Sequence, residues 1–121
     1  MGWWDVFGYF RGGLMQWLLL IGAILAEVTA TVSLRLSDGF TRPLPSVVTL
    51  AGYGVAFYLL AQVLKLGMGV GVAYSIWAAV GVTLVALIGA LFLGDTLTWI
   101  QVGGIVLVIA GVAALELGAA R

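Results

Sequence analysis

The sequence contains no cysteine and no histidine, and its five Lys/Arg are matched by five Asp/Glu for a formal net charge of zero. Without a thiol or an imidazole there is no zinc site of the Cys/His type, no Cys-His pair and no Ser-His-Asp triad. The balanced charge leaves no basic footprint for nucleic acid. Charged side chains make up only 8% of the 121 residues, against about a quarter in a soluble globular domain. No enzymatic activity, no cofactor and no metal are expected.

What fills the chain instead is apolar: 64% of residues are hydrophobic, 18 are glycine, and mean hydropathy is +1.23. Four uncharged or nearly uncharged stretches stand out, roughly Leu14 to Leu34, Leu44 to Leu64, Val70 to Leu93 and Leu97 to Leu115. Each meets the requirement of about 20 residues for a helix that crosses a bilayer. The linkers are short: Arg35 to Pro43 with a Ser-Asp-Gly turn, Lys65 to Gly69, and Gly94-Asp95-Thr96. Short linkers between spans predict one compact antiparallel bundle, an all-α integral membrane protein with four transmembrane helices occupying residues 14–121.

Residues 1–13 differ in character. Trp3, Phe7, Phe10 and Leu14 follow an i, i+4, i+7, i+11 pattern. This aromatic extension reads either as a short interfacial helix at headgroup depth or as a dispensable leader, with Met15 an alternative first residue. A cleaved signal peptide is not expected, because the following apolar run has full spanning length and lacks an A-x-A cleavage pattern.

With four spans, Arg11, Lys65 and Arg121 fall on one side of the membrane and Arg35 and Arg42 on the other. Orientation follows the Lys/Arg bias, and here there is almost none. Such a chain inserts either way round unless something other than charge fixes it. Two oppositely inserted copies would generate the inverted symmetry that many transporters encode within one longer chain. Four helices are too few to enclose a path, so self-association is expected. Gly104 and Gly111, seven apart in GGIVLVIAGV, mark one face of the fourth span as a close-contact surface, with packing inside a single bundle as the alternative.

Glu27 is the one ionisable acid or base well inside a span. At about 1.5 Å per residue from Gln16 it lies about 16 Å deep, near the midplane of a core about 30 Å thick. A carboxylate there costs a few kcal/mol or more, and no cationic side chain within the spans neutralises it. Protonation removes that cost, and so does a bound organic cation, so one carboxyl can serve as proton carrier and as counter-ion in turn. The alternative is a permanently protonated hydrogen-bond donor to a nearby carbonyl. Ala23, Ala30, Thr31 and Leu34 fall at i−4, i+3, i+4 and i+7 from Glu27, leaving space beside the carboxyl on that helix face.

Tyr74, Trp77 and Gly81 share a face of the third span. Aromatic faces attract organic cations by about 0.5 to 2 kcal/mol per ring without demanding one shape. Tyr53 in the second span, with Ala56, Phe57 and Leu60 at related spacings, adds a ring and a hydroxyl. Gly81 is also a candidate bend in the third helix.

The residues from Gln16 to about Leu117 resemble the small multidrug resistance family. The resemblance is carried by GAILAEVTATVSLR, LSDGFTR, a Pro-Ser start to the second span, YGVAFYLLAQ, VAYSIWAAVG and GGIVLVIAGV, in the family's order and close to its spacing. It implies a proton-coupled exporter of the bacterial inner membrane working as an antiparallel, dual-topology homodimer, with protons and hydrophobic organic cations as ligands. It implies further that Glu27 is the essential acid, that Tyr53, Tyr74 and Trp77 are aromatic site positions, that Thr31, Ala23, Leu20 and Trp17 line the same chamber, that Gly104 and Gly111 form the dimer contact, and that Gly81 is the second glycine of a third-span bend.

Several positions depart from the family pattern. The earlier glycine of the bend is Ala79, the position before Thr31 is Ala30 where glycine is frequent, and Gly67-Met68-Gly69 replaces Ile-Pro with one additional residue, resembling an actinobacterial version of the loop. The extension has no counterpart. The guanidinium-exporting branch places a Trp shortly after its glutamate and a hydroxyl residue in the second span. Here those regions read Val28-Thr29-Ala30 and Ala56-Phe57, which resembles the branch that exports quaternary ammonium compounds. Export of guanidinium, polyamines or a lipid headgroup, or a non-transporting membrane subunit, are the alternatives.

Overall fold

The computed structural model describes residues 3–118, and side chains from Gly13 onward. It is built of four helices, α1 (Trp3–Leu36), α2 (Pro43–Lys65), α3 (Val70–Phe92) and α4 (Trp99–Leu117). All four are long and apolar enough to cross a membrane, the first over Gly13–Leu36. The aromatic face expected for Trp3, Phe7 and Phe10 lies outside the residues whose side chains are described.

Helix is the form that satisfies every backbone donor and acceptor within one span, and each break has a local cause. After α1, Asp38, Gly39 and Phe40 take positive φ of 49°, 69° and 66°, a left-handed run that cannot continue a helix. Buried Ser37 stabilises it: its hydroxyl donates to Leu34 O at 2.7 Å and accepts from Phe40 N at 3.1 Å. Pro43, whose missing N–H is harmless in a first turn, opens α2. Beyond α2, Gly67 adopts φ 105°, and Gln16 Nε2 from α1 donates to Leu66 O at 2.6 Å, satisfying a carbonyl that the ended helix leaves open.

The fourth helix begins two residues later than hydropathy suggests. Thr98 Oγ1 accepts from Gln101 N at 3.2 Å, and Gln101 Oε1 accepts from Thr98 N at 2.8 Å. This reciprocal capping box fixes the start at Trp99 and leaves Leu97 in the connection. Thr98→Ala is expected to lower the unfolding free energy by about 1 kcal/mol, measured by denaturant titration in detergent. A loss under about 0.3 kcal/mol would show that the cap contributes little.

Several threonine hydroxyls inside the spans are satisfied locally. Thr29, Thr49 and Thr83 donate to the carbonyls of Leu25, Pro45 and Ala79, four residues back. Among the described residues no buried side-chain polar atom lacks a partner, as a low-dielectric medium requires.

The core lies between α1, α2 and α3. Leu20, Ile24 and Val28 of α1 meet Ala56 and Val63 of α2 and Ala73 and Trp77 of α3. Helices α1 and α2 cross closely at Gly52: a Cβ there would sit 2.8 Å from Ala30 Cβ and 3.0 Å from Ala26 O. Arg35, at the end of α1, pairs with Asp95 between α3 and α4 through contacts of 3.0 and 3.1 Å. Both side chains are about half exposed, so the pair adds little stability. Among the described residues, helix α4 packs on α3 and buries no residue.

Candidate functional site

Three helices converge on a cavity of about 530 Å³ at mid-span. Helix α1 supplies Glu27 and Thr31, α2 supplies Tyr53 and Phe57, and α3 supplies Tyr74, Trp77, Ala78, Gly81, Val82, Val85 and Ala86. Glu27 is the one charged side chain in this lining. Its carboxylate is oriented from two sides. Thr31 Oγ1, one turn on, donates to Oε1 at 2.9 Å, and Gly81 comes so close that a Cβ there would lie 3.2 Å from Oε2. Thr31 Oγ1 lies 2.8 Å from Tyr53 Oη in turn.

Much of the remaining lining is aromatic. Trp77 is largely buried, and two rings stand edge-on to it: Phe57 at 5.5 Å with an interplanar angle of 65°, and Tyr74 at 6.1 Å with 64°. Edge-to-face packing holds each ring in place through its quadrupole. Phe57 and Tyr74 remain 58% and 62% exposed, so their faces are available to a ligand. A lone carboxylate that shares a cavity with aromatic rings and no cationic side chain suits a bulky organic cation.

Of the positions singled out from sequence, Glu27, Thr31, Tyr53, Tyr74, Trp77 and Gly81 meet in this cavity. Leu20 and Ala23 are buried in the helix packing and Trp17 is 41% exposed; these three are not among the lining residues. Helix α3 continues unbroken through Ala79 and Gly81. Gly104 and Gly111 lie on the outer helix, where an added Cβ would meet nothing within 4 Å. Spacing alone groups Phe57 with Tyr53. Ala78, Val82, Val85 and Ala86 go unnoticed, although they extend the Tyr74-Trp77-Gly81 stripe at helical spacing. In a span that is apolar all round, no polar contrast marks such a stripe.

The family model for the Small Multidrug Resistance protein matches residues 15–108. The chain belongs to the small multidrug resistance family. It is 49% identical over 107 residues to the multidrug resistance protein mmr of Mycolicibacterium paratuberculosis, covering 88% of this chain and 100% of that protein. The quaternary ammonium compound-resistance protein QacF of Klebsiella aerogenes is 47% identical, over 84% of this chain and 92% of its own. The nicotine metabolites export pump subunit NepA of Paenarthrobacter nicotinovorans is 43% identical, over 93% and 97%. As a member of this family with four spanning helices, the chain is a multi-pass transporter of the bacterial inner membrane and not an enzyme.

Proposed function

We propose that this small multidrug resistance protein is a proton-coupled antiporter that exports lipophilic and quaternary ammonium cations, with Glu27 binding a proton and a cation in turn. The observation that carries the reading is the position of Glu27: a mid-span carboxylate, alone in charge, in one cavity with aromatic rings. The names of the relatives mmr and QacF agree with such substrates. When Glu27 is ionised, a cation neutralises it; when Glu27 is protonated, the cation meets a neutral wall and is released. Differential affinity of the two charge states is what couples the flows.

The working unit is an antiparallel homodimer. One protomer leaves Phe57 and Tyr74 open and α4 without a buried residue, and Gly104 and Gly111 offer a bare strip for close helix approach. A second, inverted copy closes the cavity and brings a second Glu27. Bending of α3 at Gly81 would move its backbone relative to the carboxylate it touches.

In vesicles with an imposed pH gradient, proton-driven uptake of tetraphenylphosphonium is expected, with guanidinium transported at least about tenfold more slowly. Faster guanidinium transport would assign the protein to the other branch, and no transport of either would favour a non-transporting subunit. Trp77→Leu keeps an apolar side chain in the core while removing the π face. It is expected to weaken tetraphenylphosphonium about tenfold and tetraethylammonium by less than about threefold, given 0.5 to 2 kcal/mol per ring. Equal losses in titration calorimetry would remove the aromatic-face argument.

A further inference from the structure

Thr31 has a single O–H and stands between two oxygens, Glu27 Oε1 at 2.9 Å and Tyr53 Oη at 2.8 Å. Both separations lie in the ordinary range for O–H···O bonds. A hydroxyl gives one proton and accepts on its lone pairs, whereas an ionised carboxylate only accepts. With Glu27 ionised, Thr31 therefore spends its proton on Oε1, and the Tyr53 O–H must donate to Thr31 Oγ1. The tyrosine oxygen then has only lone pairs to show the cavity it lines.

A proton on Glu27 permits the opposite order at the same oxygen positions. Glu27 donates to Thr31, Thr31 donates to Tyr53 Oη, and the Tyr53 O–H turns free. Two protons shared among three oxygens become three; none travels along the row, and only hydroxyl torsions change. Sharing the cavity with the carboxyl are Thr31 on its own helix, Tyr53 and Phe57 from α2, and Tyr74, Trp77 and Gly81 from α3; in the proposed dimer the second Glu27 is the further charged group. No Lys, Arg or Asp is in that lining, and α4 contributes nothing to it.

We propose that Thr31 transmits the charge state of Glu27 to Tyr53, so that the cation-ready site presents a second acceptor and selects cations bearing an N–H over those fully substituted at nitrogen. This rests on the exchange reading of Glu27 and assigns Thr31 as a positioning residue and Tyr53 as a specificity-determining one. A quaternary cation senses only the dipole of the tyrosine; a protonated tertiary amine can donate to its oxygen, and such charge-assisted bonds are the strong ones.

The test compares dodecyldimethylammonium, which carries one N–H, with dodecyltrimethylammonium, which carries none. Binding to the purified full-length protein is measured at about pH 8, where the amine keeps its proton. The wild type is expected to favour the N–H cation by about tenfold. Thr31→Val and Tyr53→Phe should each lower that ratio to what the Glu27 carboxylate alone gives, the double variant should lower it no further, and Thr31→Ser should restore it. Infrared difference spectra supply a second readout on the wild type. The ring C–O band of Tyr53, assigned by its loss in Tyr53→Phe, should shift as Glu27 titrates and stay fixed in Thr31→Val. The proposal is overturned by equal losses for the two cations, by a serine variant that behaves as valine, or by a tyrosine band indifferent to Glu27 in the wild type. If neither cation displaces a proton from the wild type when the pH is lowered to about 5, the exchange reading fails instead, while the affinity ratio at about pH 8 still judges the relay.

Discussion

Glu27→Gln is expected to abolish proton-driven export and to flatten the pH dependence of cation binding. The amide keeps the size and can still accept from Thr31, so the cavity of Glu27, Tyr53, Tyr74 and Trp77 survives in outline. What disappears is the charge. At about 4 Å and an effective dielectric constant of about 20, a pair of unit charges is worth about 4 kcal/mol. Even after losses to desolvation, cation affinity is expected to fall at least about a hundredfold. If a proton and a cation compete for that one carboxyl, as proposed, apparent affinity in the wild type rises with pH, by up to about tenfold per pH unit for each proton displaced. Binding curves across the pH range check both points. A variant that still exports at the wild-type rate would remove Glu27 from the carrier role.

The second large effect is expected at Gly52, which has no part in the chemistry. An added Cβ would stand 2.8 Å from Ala30 Cβ and 3.0 Å from Ala26 O. Both partners belong to the α1 helix itself, so nothing yields without moving α1 away from α2. Gly52→Ala is expected to cost about 1 to 3 kcal/mol, read from denaturant titration, and Gly52→Leu to prevent stable folding. Displacement of α2 also draws Tyr53 from Thr31, so transport should fall further than stability alone requires. Combining Gly52→Ala with Ala30→Gly removes the closest contact but leaves Ala26 O at 3.0 Å and Ala30 Cα at 3.3 Å, so only part of the loss should be recovered.

The same contact shows where sequence reading stops. The four spans, their short linkers and the mid-span carboxylate are legible because each depends on a property one residue or one run carries by itself: length, apolarity, or a charge where charge is costly. The meeting of Glu27, Thr31, Tyr53, Tyr74 and Trp77 was accessible from helical spacing together with the family resemblance. Which glycine lets two helices touch was not. Gly104 and Gly111 draw attention by their seven-residue spacing, yet within the protomer the close crossing is at Gly52, opposite alanines that look unremarkable in an alanine-rich helix. A pairwise distance between α1 and α2 decides that, and no local pattern encodes it. For the same reason Val82, Val85 and Ala86 are invisible as wall residues, and Leu97 looks like part of a helix until the side chains of Thr98 and Gln101 are seen to cap each other.

The most direct measurement is proton release when tetraphenylphosphonium is added to detergent-solubilised protein in weakly buffered solution, wild type beside Glu27→Gln. A shared carboxyl requires the wild type to acidify the medium on binding, with release fading as pH rises and the carboxyl is already vacant, and requires the glutamine variant to release nothing. Cation binding by the wild type at low pH without any proton release would contradict the account.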